Sequence, residues 1–343
     1  MIARVVVFLA FVMFIATSSA FRVSRMGSST LKTLRGGALK MSTTEAPTSS
    51  IPKVKGASAE KMLEGVDSLI FDLDGVIFLG DTVIPGVPET LDKLRALGKK
   101  MFFVTNNSTK SRAGYLKKFT SLGLTVNAEE IFSSSFAAAA YLEQNPLPAD
   151  KKVYVIGQVG IGEELDLLNI PWTGGPNDSG KEIDLGPGVK VDHDHDVGAV
   201  IVGFDSKINY YKIQYAQLCI NENPGCKFIA TNLDAVTHLT DAQEWAGNGA
   251  MVGAIKGCTG QEPIVVGKPA PLMIDYIVKK YNVDRSRIAM VGDRLDTDMV
   301  FGLDNGLQTV LTLSGVTSEE KLLSADNKIR PDQYVSSIAD FFE

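Results

Sequence analysis

Two aspartates, Asp72 and Asp74, stand two positions apart in the apolar run SLIFDLDGVIF, from Ser68 to Phe78. Burying a carboxylate is costly unless a cation or hydrogen-bond donors compensate it. A strand that served only as core would not carry such a pair. Three more runs are built the same way, apolar first and polar last. They are FFVTNNST with Thr105, Asn106 and Asn107, VVGKP with Lys268, and MVGDRLDTD with Asp293, Asp296 and Asp298. Each is weak alone: a DxD is common, GKP reads as a turn and TNNS reads as a capping loop. Together they supply two groups of carboxylates, a hydroxyl and amide cluster, and a lysine.

That set suits a divalent cation and a phosphoryl group. Mg²⁺ takes hard oxygen ligands and keeps water and phosphate in its shell, and Asp72 and Asp293 can supply the protein side. Side chains at i and i+2 of a strand share a face, so Asp74 points with Asp72 if the strand stays regular. Phosphoryl transfer rests mainly on positioning and charge neutralisation. Thr105, the backbone after it and Lys268 suit the phosphoryl oxygens. A carboxylate nucleophile would form an aspartyl-phosphate and split the reaction in two. A second carboxyl near the leaving oxygen could serve as general acid and then general base.

The elements that must position these groups follow from periodicity. From about Met62, short apolar runs alternate with helix-like segments, the pattern of a parallel α/β fold. DSLIFDLD, KMFFVTNNS, PIVVGKP and SRIAMVGDRLDTDM read as strands of one sheet with polar carboxyl ends, and LQTVLTLSG closes the set. In an open parallel sheet, ligands sit at those ends. GVPETLDKLRALGKK reads as a helix, with Pro88 in its first turn and Leu91, Leu94 and Leu97 on one face. SRAGYLKKFTSLGL, SSSFAAAAYLEQ and PAPLMIDYIVKKYNV read as helices too. Between about Asp150 and Cys258 the texture changes. KKVYVIG and DVGAVIVGF are strands, but TGGPNDSG and LGPGVKVDHDHD make the stretch between them loop-rich. A second α/β module inserted into the first accounts for this.

The amino end is of another kind. MIARVVVFLAFVMFIATSSA has one basic residue, an apolar core and small residues at its end, the pattern of a signal peptide over residues 1–20. Its apolar stretch is shorter than the roughly 20 residues of a membrane span. Residues 21–44 are basic, rich in Ser and Thr and free of acids, which is transit-peptide composition. Signal plus transit segment resembles the bipartite leader of algae whose plastids lie inside extra membranes, and a plastid stromal protein is expected. A secreted protein with a basic pro-segment is the alternative. The three cysteines, Cys219, Cys226 and Cys258, fit neither a disulfide framework nor a zinc site and count against secretion. Residues 45–61 read as a flexible lead-in. The first 44 residues contribute +6 to a formal net charge of −6, so the remainder carries −12. A body that acidic is a poor match for a nucleic-acid backbone, though a local cation can still hold a small anion.

In order and spacing, DLDGV, TNN, GKP and GDRLDTD resemble the four motifs of the haloacid dehalogenase-like phosphatases. The resemblance implies a Rossmann-like parallel-sheet core, residues 62–148 and 259–343, with an inserted α/β cap of the C2 type, residues 149–258. It implies Asp72 as nucleophile and Mg²⁺ ligand, and Asp74 as acid and base whose carbonyl also binds the metal. Thr105, Asn106 and Asn107 are implied to hold the phosphoryl group, Lys268 to stabilise its charge, and Asp293 to be the second acidic metal ligand. Asp298 falls outside the ligands, orienting a metal-bound water or Lys268, and Asp296 is structural. From about Val66 to the end the chain is also similar to the phosphoglycolate phosphatases of plant chloroplasts. That similarity includes ENPGCKFIATNLDAVTHLTDAQEWAGNGAMVGAIKG in the cap.

The implied reaction is Mg²⁺-dependent hydrolysis of 2-phosphoglycolate in photorespiration. A pyridoxal-phosphate or 4-nitrophenyl-phosphate phosphatase is the alternative within the family, since the cap decides. Related pyridoxal-phosphate phosphatases carry a substrate histidine near the place of His238, here at a spacing one residue longer. A slow phospho-accepting signalling module is the alternative outside the family, against which Asp74, Lys268 and the large insertion count. The partners implied are a small phosphate ester, no nucleic acid, no membrane in the mature form, and a second copy of the chain through the cap. DHDHD, Asp192 to Asp196, is read as a polar loop entering a strand rather than a metal site. NYYKIQY is read as packing or a subunit contact.

Overall fold

The computed structural model describes residues 50–237 and 242–343. The proposed signal and transit segment, residues 45–49 of the expected lead-in and His238 lie outside them. The rest of that lead-in is not a free tether: Ile51 and Val54 are buried, Val54 N donates to Tyr334 O at 2.9 Å, and Ala57–Glu64 is helix, because its apolar residues find a place on the core. Among the described residues no helix is long and apolar enough to cross a membrane.

The chain enters through α1 (Ala57–Glu64) into β1 (Ser68–Phe71), all four of whose residues are buried. The helix α2 (Val87–Ala96) follows, with Pro88 in its first turn, and then β2 (Lys100–Thr105). The helix α3 (Arg112–Ser121), capped by the Ser111 hydroxyl accepting from Gly114 N, leads to β3 (Ile131–Ser133) and α4 (Ser134–Gln144). The second module then begins. It contributes β4 (Lys152–Ile156), α5 (Val159–Leu167), β5 (Trp172–Gly174), β6 (Val197–Val202), α6 (Tyr210–Glu222), β7 (Lys227–Ala230), α7 (Asn248–Thr259) and β8 (Ile264–Val265). After α8 (Leu272–Tyr281) the chain forms β9 (Ile288–Gly292), β10 (Gln308–Thr312) and β11 (Gln333–Val335).

Two parallel sheets result. The first has the order β11-β10-β9-β1-β2-β3 and the second β8-β7-β6-β4-β5. Central place in the first sheet goes to the strand that carries Asp72 at its end, which pairs with β9 on one side and β2 on the other. Strands buried on both faces read as continuous apolar runs, and SLIF, IAMVG and VGAVIV do so.

One expected strand goes elsewhere. Ile264 and Val265 of PIVVGKP pair with Ile229 and Ala230, so β8 is an edge of the second sheet and not a strand of the first. That sheet therefore runs past the expected module end at residue 258. A two-residue apolar strand carries no signal of which sheet will accept it; that is decided by the partner it meets.

The two modules are tied together at α3 and α5. Arg112 holds Glu164 through its own backbone N–H at 2.6 Å and through its guanidinium at 2.8 to 3.2 Å. The Glu164 side chain is fully enclosed and the Arg112 side chain 23% exposed. The Ser111 hydroxyl donates to the neighbouring Glu163 at 2.5 Å. Breaking one side of a buried pair typically costs about 3 kcal/mol, because the remaining charge is left without its partner. Arg112→Met is therefore expected to destabilise the protein by about that amount. The check is the urea unfolding midpoint at unchanged slope. A midpoint within error of wild type would show that the pair is not holding the modules.

Candidate active site

The ends of β1, β2, β9 and β10 and the loop after β8 converge on a cleft of about 150 Å³. Asp72 leaves the central strand, and its N–H donates to Val291 O of β9 at 2.9 Å. Asp293 and Asp298 come from the turn after β9. Lys268 comes from the loop after β8, anchored on both sides: Val266 N donates to Ala230 O of β7 at 3.0 Å, and Lys268 N donates to Asn106 Oδ1 at 2.8 Å.

Lys268 is buried and all three of its ammonium hydrogens have acceptors. It donates to Asp72 Oδ1 at 2.5 Å, Asp298 Oδ1 at 2.7 Å and Val104 O at 2.9 Å. Burial works against the charged ammonium, but Asp298 and Asp72 outweigh it and hold the lysine's pKa above its ordinary value. Burial pushes the Asp72 carboxyl up, the Lys268 charge opposes this, and Asp298 and Asp293 add to the upward push. A salt bridge this short favours the ionised pair, so Asp72 stands as a carboxylate against Lys268.

Asp298 is tied down on its other oxygen as well. Its Oδ2 accepts from Asp293 N and Arg294 N, both at 3.1 Å. It reaches Lys268 and the Asp293 turn at once. Asp296 faces outward and pairs with Arg294, at 3.2 Å to Nε and 3.0 Å to Nη2.

Three buried carboxylates, Asp72, Asp293 and Asp298, have ligand atoms within 4.8 Å of one another. Lys268 is the one ammonium among them, so two negative charges are left over. Asp293 shows where the excess lies. Its Oδ2 accepts from Val316 N at 2.7 Å, while its buried Oδ1 has no hydrogen-bond partner among the described residues. Burial, then the Asp298 charge, push its carboxyl up to about 7. An orphaned hard oxygen beside a surplus of two negative charges fits a divalent cation.

The backbone around Asp293 is shaped for that carboxylate. A Cβ at Gly315 would lie 2.0 Å from Asp293 Oδ2, and one at Gly75 2.5 Å from it. Gly75 also takes φ +87°, a conformation that side-chain-bearing residues rarely adopt. This turn carries Asp74 out of the strand. The Asp74 carboxyl opens to water in the cleft but is crowded on its other sides, and burial raises its pKa; Lys118 and Lys110 pull the other way.

Thr105 is buried at the end of β2 and its hydroxyl accepts from Asn107 N at 3.1 Å. Asn107 is occupied in its own turn, with Oδ1 accepting from the Thr109 N–H and hydroxyl. The Asn106 amide takes on more than sequence reasoning foresaw. Its Oδ1 accepts from Lys268 N, and its Nδ2 donates to Lys268 O at 3.0 Å and to Asp234 Oδ1 at 3.0 Å. Asn106 also accepts on its backbone oxygen from Asn232 Nδ2 at 2.6 Å. One residue of the first module thus clamps the lysine loop and two residues of the second.

Asp234, Asn232, Arg294, Ser314 and Gly315 were not singled out by sequence. Asp234 and Asn232 lie in TNLDAVTHLTDAQEW, within the inserted-module segment that carries the similarity quoted above. The signal for Gly315 was present, since LQTVLTLSG ends polar like the other strands. Ser314 Oγ donates to Gly75 O at 2.7 Å, joining this fifth loop to the Asp74 turn. The DHDHD segment is a polar loop: His193 and His195 both face Asn223 Oδ1, at 3.0 and 3.3 Å. The only cluster of potential metal-ligating side chains among the described residues is the aspartate one.

Comparison with known proteins gives the same family twice. A model described as haloacid dehalogenase-like hydrolase matches residues 69–171, and one described as HAD-hydrolase-like matches residues 265–341. Phosphoglycolate phosphatase 1A, chloroplastic, of Arabidopsis thaliana is 56% identical over 325 residues, covering 95% of this chain and 90% of that protein. The p-nitrophenyl phosphatase of Archaeoglobus fulgidus superposes with a TM-score of 0.69 at 33% identity, covering 81% of this chain and 98% of that one. The glycerol phosphate phosphatase Rv1692 of Mycobacterium tuberculosis, solved in complex with magnesium, superposes at 0.67 with 26% identity, covering 82% and 78%.

The Asn106 clamp makes a measurable claim. Asn106→Leu removes the acceptor of the buried Lys268 N–H. The loss of such a bond, about 1.4 kcal/mol, corresponds to a tenfold rise in local opening. Hydrogen exchange at Lys268 is expected to quicken about tenfold while the β1 amides keep their protection. Equal protection at Lys268 in both proteins would remove the clamp.

Proposed function

The chain belongs to the haloacid dehalogenase-like hydrolases, and we propose that it is the member that hydrolyses 2-phosphoglycolate to glycolate and phosphate. The observation that carries this is the 56% identity with a chloroplastic phosphoglycolate phosphatase across both modules, against 33% with a p-nitrophenyl phosphatase. That similarity includes the second module, which covers the cleft.

Asp72 attacks the phosphorus atom with a carboxylate oxygen. The new O–P bond forms as the ester P–O bond breaks, and glycolate departs with a proton from Asp74. Burial raises the pKa of Asp74, which keeps that proton available. Asp74, now ionised, takes a proton from a water that attacks the aspartyl-phosphate, releasing phosphate and restoring Asp72. Lys268 stays charged throughout and offsets the negative charge of the phosphoryl oxygens. Asp298 keeps Lys268 aimed, and Thr105 with the backbone after it borders the phosphoryl position. Asp72, Asp293 and the Asp74 carbonyl would hold Mg²⁺, which when bound supplies further charge neutralisation. The second module excludes water from the reacting centre. The chloroplastic relative and the two-part leader support a plastid location, and the family supports pairing of two copies through the cap.

Asp72→Asn keeps the shape of the side chain and removes the nucleophile, so turnover is expected to fall by at least about 10³-fold in a protein that still folds. Chelation of divalent cations abolishes phosphate release, and added Mg²⁺ restores it. Gly315→Ala pushes Asp293 aside and raises the Mg²⁺ needed for half-maximal rate by roughly tenfold or more. It also shrinks the Mg²⁺-induced rise in melting temperature. The deciding experiment is a phosphate-release comparison of 2-phosphoglycolate with pyridoxal phosphate and 4-nitrophenyl phosphate. Equal or better turnover of either of the last two would sink the assignment.

A further inference from the structure

The phosphoryl half of the substrate is met by a converging set of groups, but a phosphorylated hydroxy acid carries a second negative group. Five aspartates line the cleft, against two cations, Lys268 and Arg294. A free carboxylate brought among them is repelled unless a cation receives it. Lys268 has no donor left, since its three hydrogens go to Asp72, Asp298 and Val104 O.

Arg294 is in a different state. Its Nε and Nη2 pair with the two oxygens of Asp296, while its Nη1 has no hydrogen bond among the described residues. The Arg294 side chain is 17% exposed and the Asp296 side chain 66%, so the arginine lies on the cleft side of the pair and the aspartate on the water side. Across the cleft the Arg294 charge acts on Asp234 of the second module, opposing the upward push that burial gives that carboxyl. Lys110 and Lys118 act on Asp74 but are not among the cleft-lining residues. Lys118 instead sits 3.8 Å over the Phe78 ring.

We propose that Arg294 receives the substrate's carboxylate and that Asp296 aims it. A guanidinium matches a carboxylate with two parallel hydrogen bonds, which a lysine cannot do. Asp296 occupies one edge of the fork and fixes its direction, leaving the other edge to the ligand. A site built to pair a charge also rejects an ester that lacks it. This assignment rests on the phosphoglycolate reading above and gives it a residue.

The test compares kcat/KM for 2-phosphoglycolate and for 2-hydroxyethyl phosphate, in which a hydroxymethyl group replaces the carboxylate. In the wild-type enzyme the ratio of the two tests the substrate reading alone: a ratio near one refutes phosphoglycolate whatever Arg294 does. Given a wild-type preference, Arg294→Met is expected to lower the ratio roughly thirtyfold, the scale of a charged hydrogen bond, with the loss mainly in KM for 2-phosphoglycolate. Arg294→Lys recovers part of the ratio, and Asp296→Asn lowers it by roughly threefold through looser aim. A merely structural arginine would lower both activities alike and leave the ratio unchanged, which overturns the proposal. A ratio that falls in Lys110→Met and not in Arg294→Met also overturns it, and places the carboxylate beside Asp74.

Discussion

The structure depends on one buried ammonium. Lys268 is buried between Asp72 and Asp298, and its three hydrogen bonds end on three different elements: Asp72 after β1, Val104 in β2 and Asp298 after β9. An unpaired lysine there would lose its proton, and an unpaired Asp72 would gain one. Neither could then serve a phosphoryl group. The pairing holds both in the charged forms the chemistry needs, and it requires the ends of β1, β2 and β9 to stand within a few ångströms of one another. The six-stranded parallel sheet is the scaffold that makes this convergence possible, because all of its strands end on the same side.

Lys268 is also the point at which the two modules meet. Its loop leaves an edge strand of the second sheet, yet its backbone is held on both its N–H and its C=O by the Asn106 amide of the first. The same amide donates to Asp234, and the Asn106 carbonyl accepts from Asn232, both in the second module. The position of the ammonium is therefore set jointly. The second module shares hydrogen-bond partners with the lysine loop, so a shift of that module is physically coupled to the ammonium that the proposed mechanism uses for charge stabilisation.

The chemistry was more legible in the sequence than the wiring. Asp72, Lys268, Asp293 and Asp298 announce themselves because polar groups at the ends of apolar runs are expensive without a purpose. The family's motif spacing then identifies them. The same logic applied to TLSG would have reached Gly315, whose purpose shows only when the Asp293 carboxylate is found where a Cβ would be. Asn106 was visible as a residue but not as a clamp, because its partners are more than a hundred positions away. The strand before Lys268 was assigned to the wrong sheet. Ile264 and Val265 have the same β-favouring character in either one, and the choice is made by pairing with Ile229 and Ala230.

The two aspartates of SLIFDLDGVIF look equivalent in the sequence and are not. Asp72 is enclosed and paired with an ammonium, which favours the ionised form that the proposed attack requires. Asp74 lies three residues beyond Phe71, the end of β1, and the turn it makes with Gly75 at positive φ sets it in the open part of the cleft. There it has no ammonium at hydrogen-bond distance among the described residues, and desolvation raises its pKa. Two identical carboxyls thus stand in separate environments, one against an ammonium and one open to the cleft, which suits the proposed division between attack and proton transfer. The glycine that follows Asp74 is as necessary as either acid, since a side chain at position 75 would collide with Asp293 and forbid the turn.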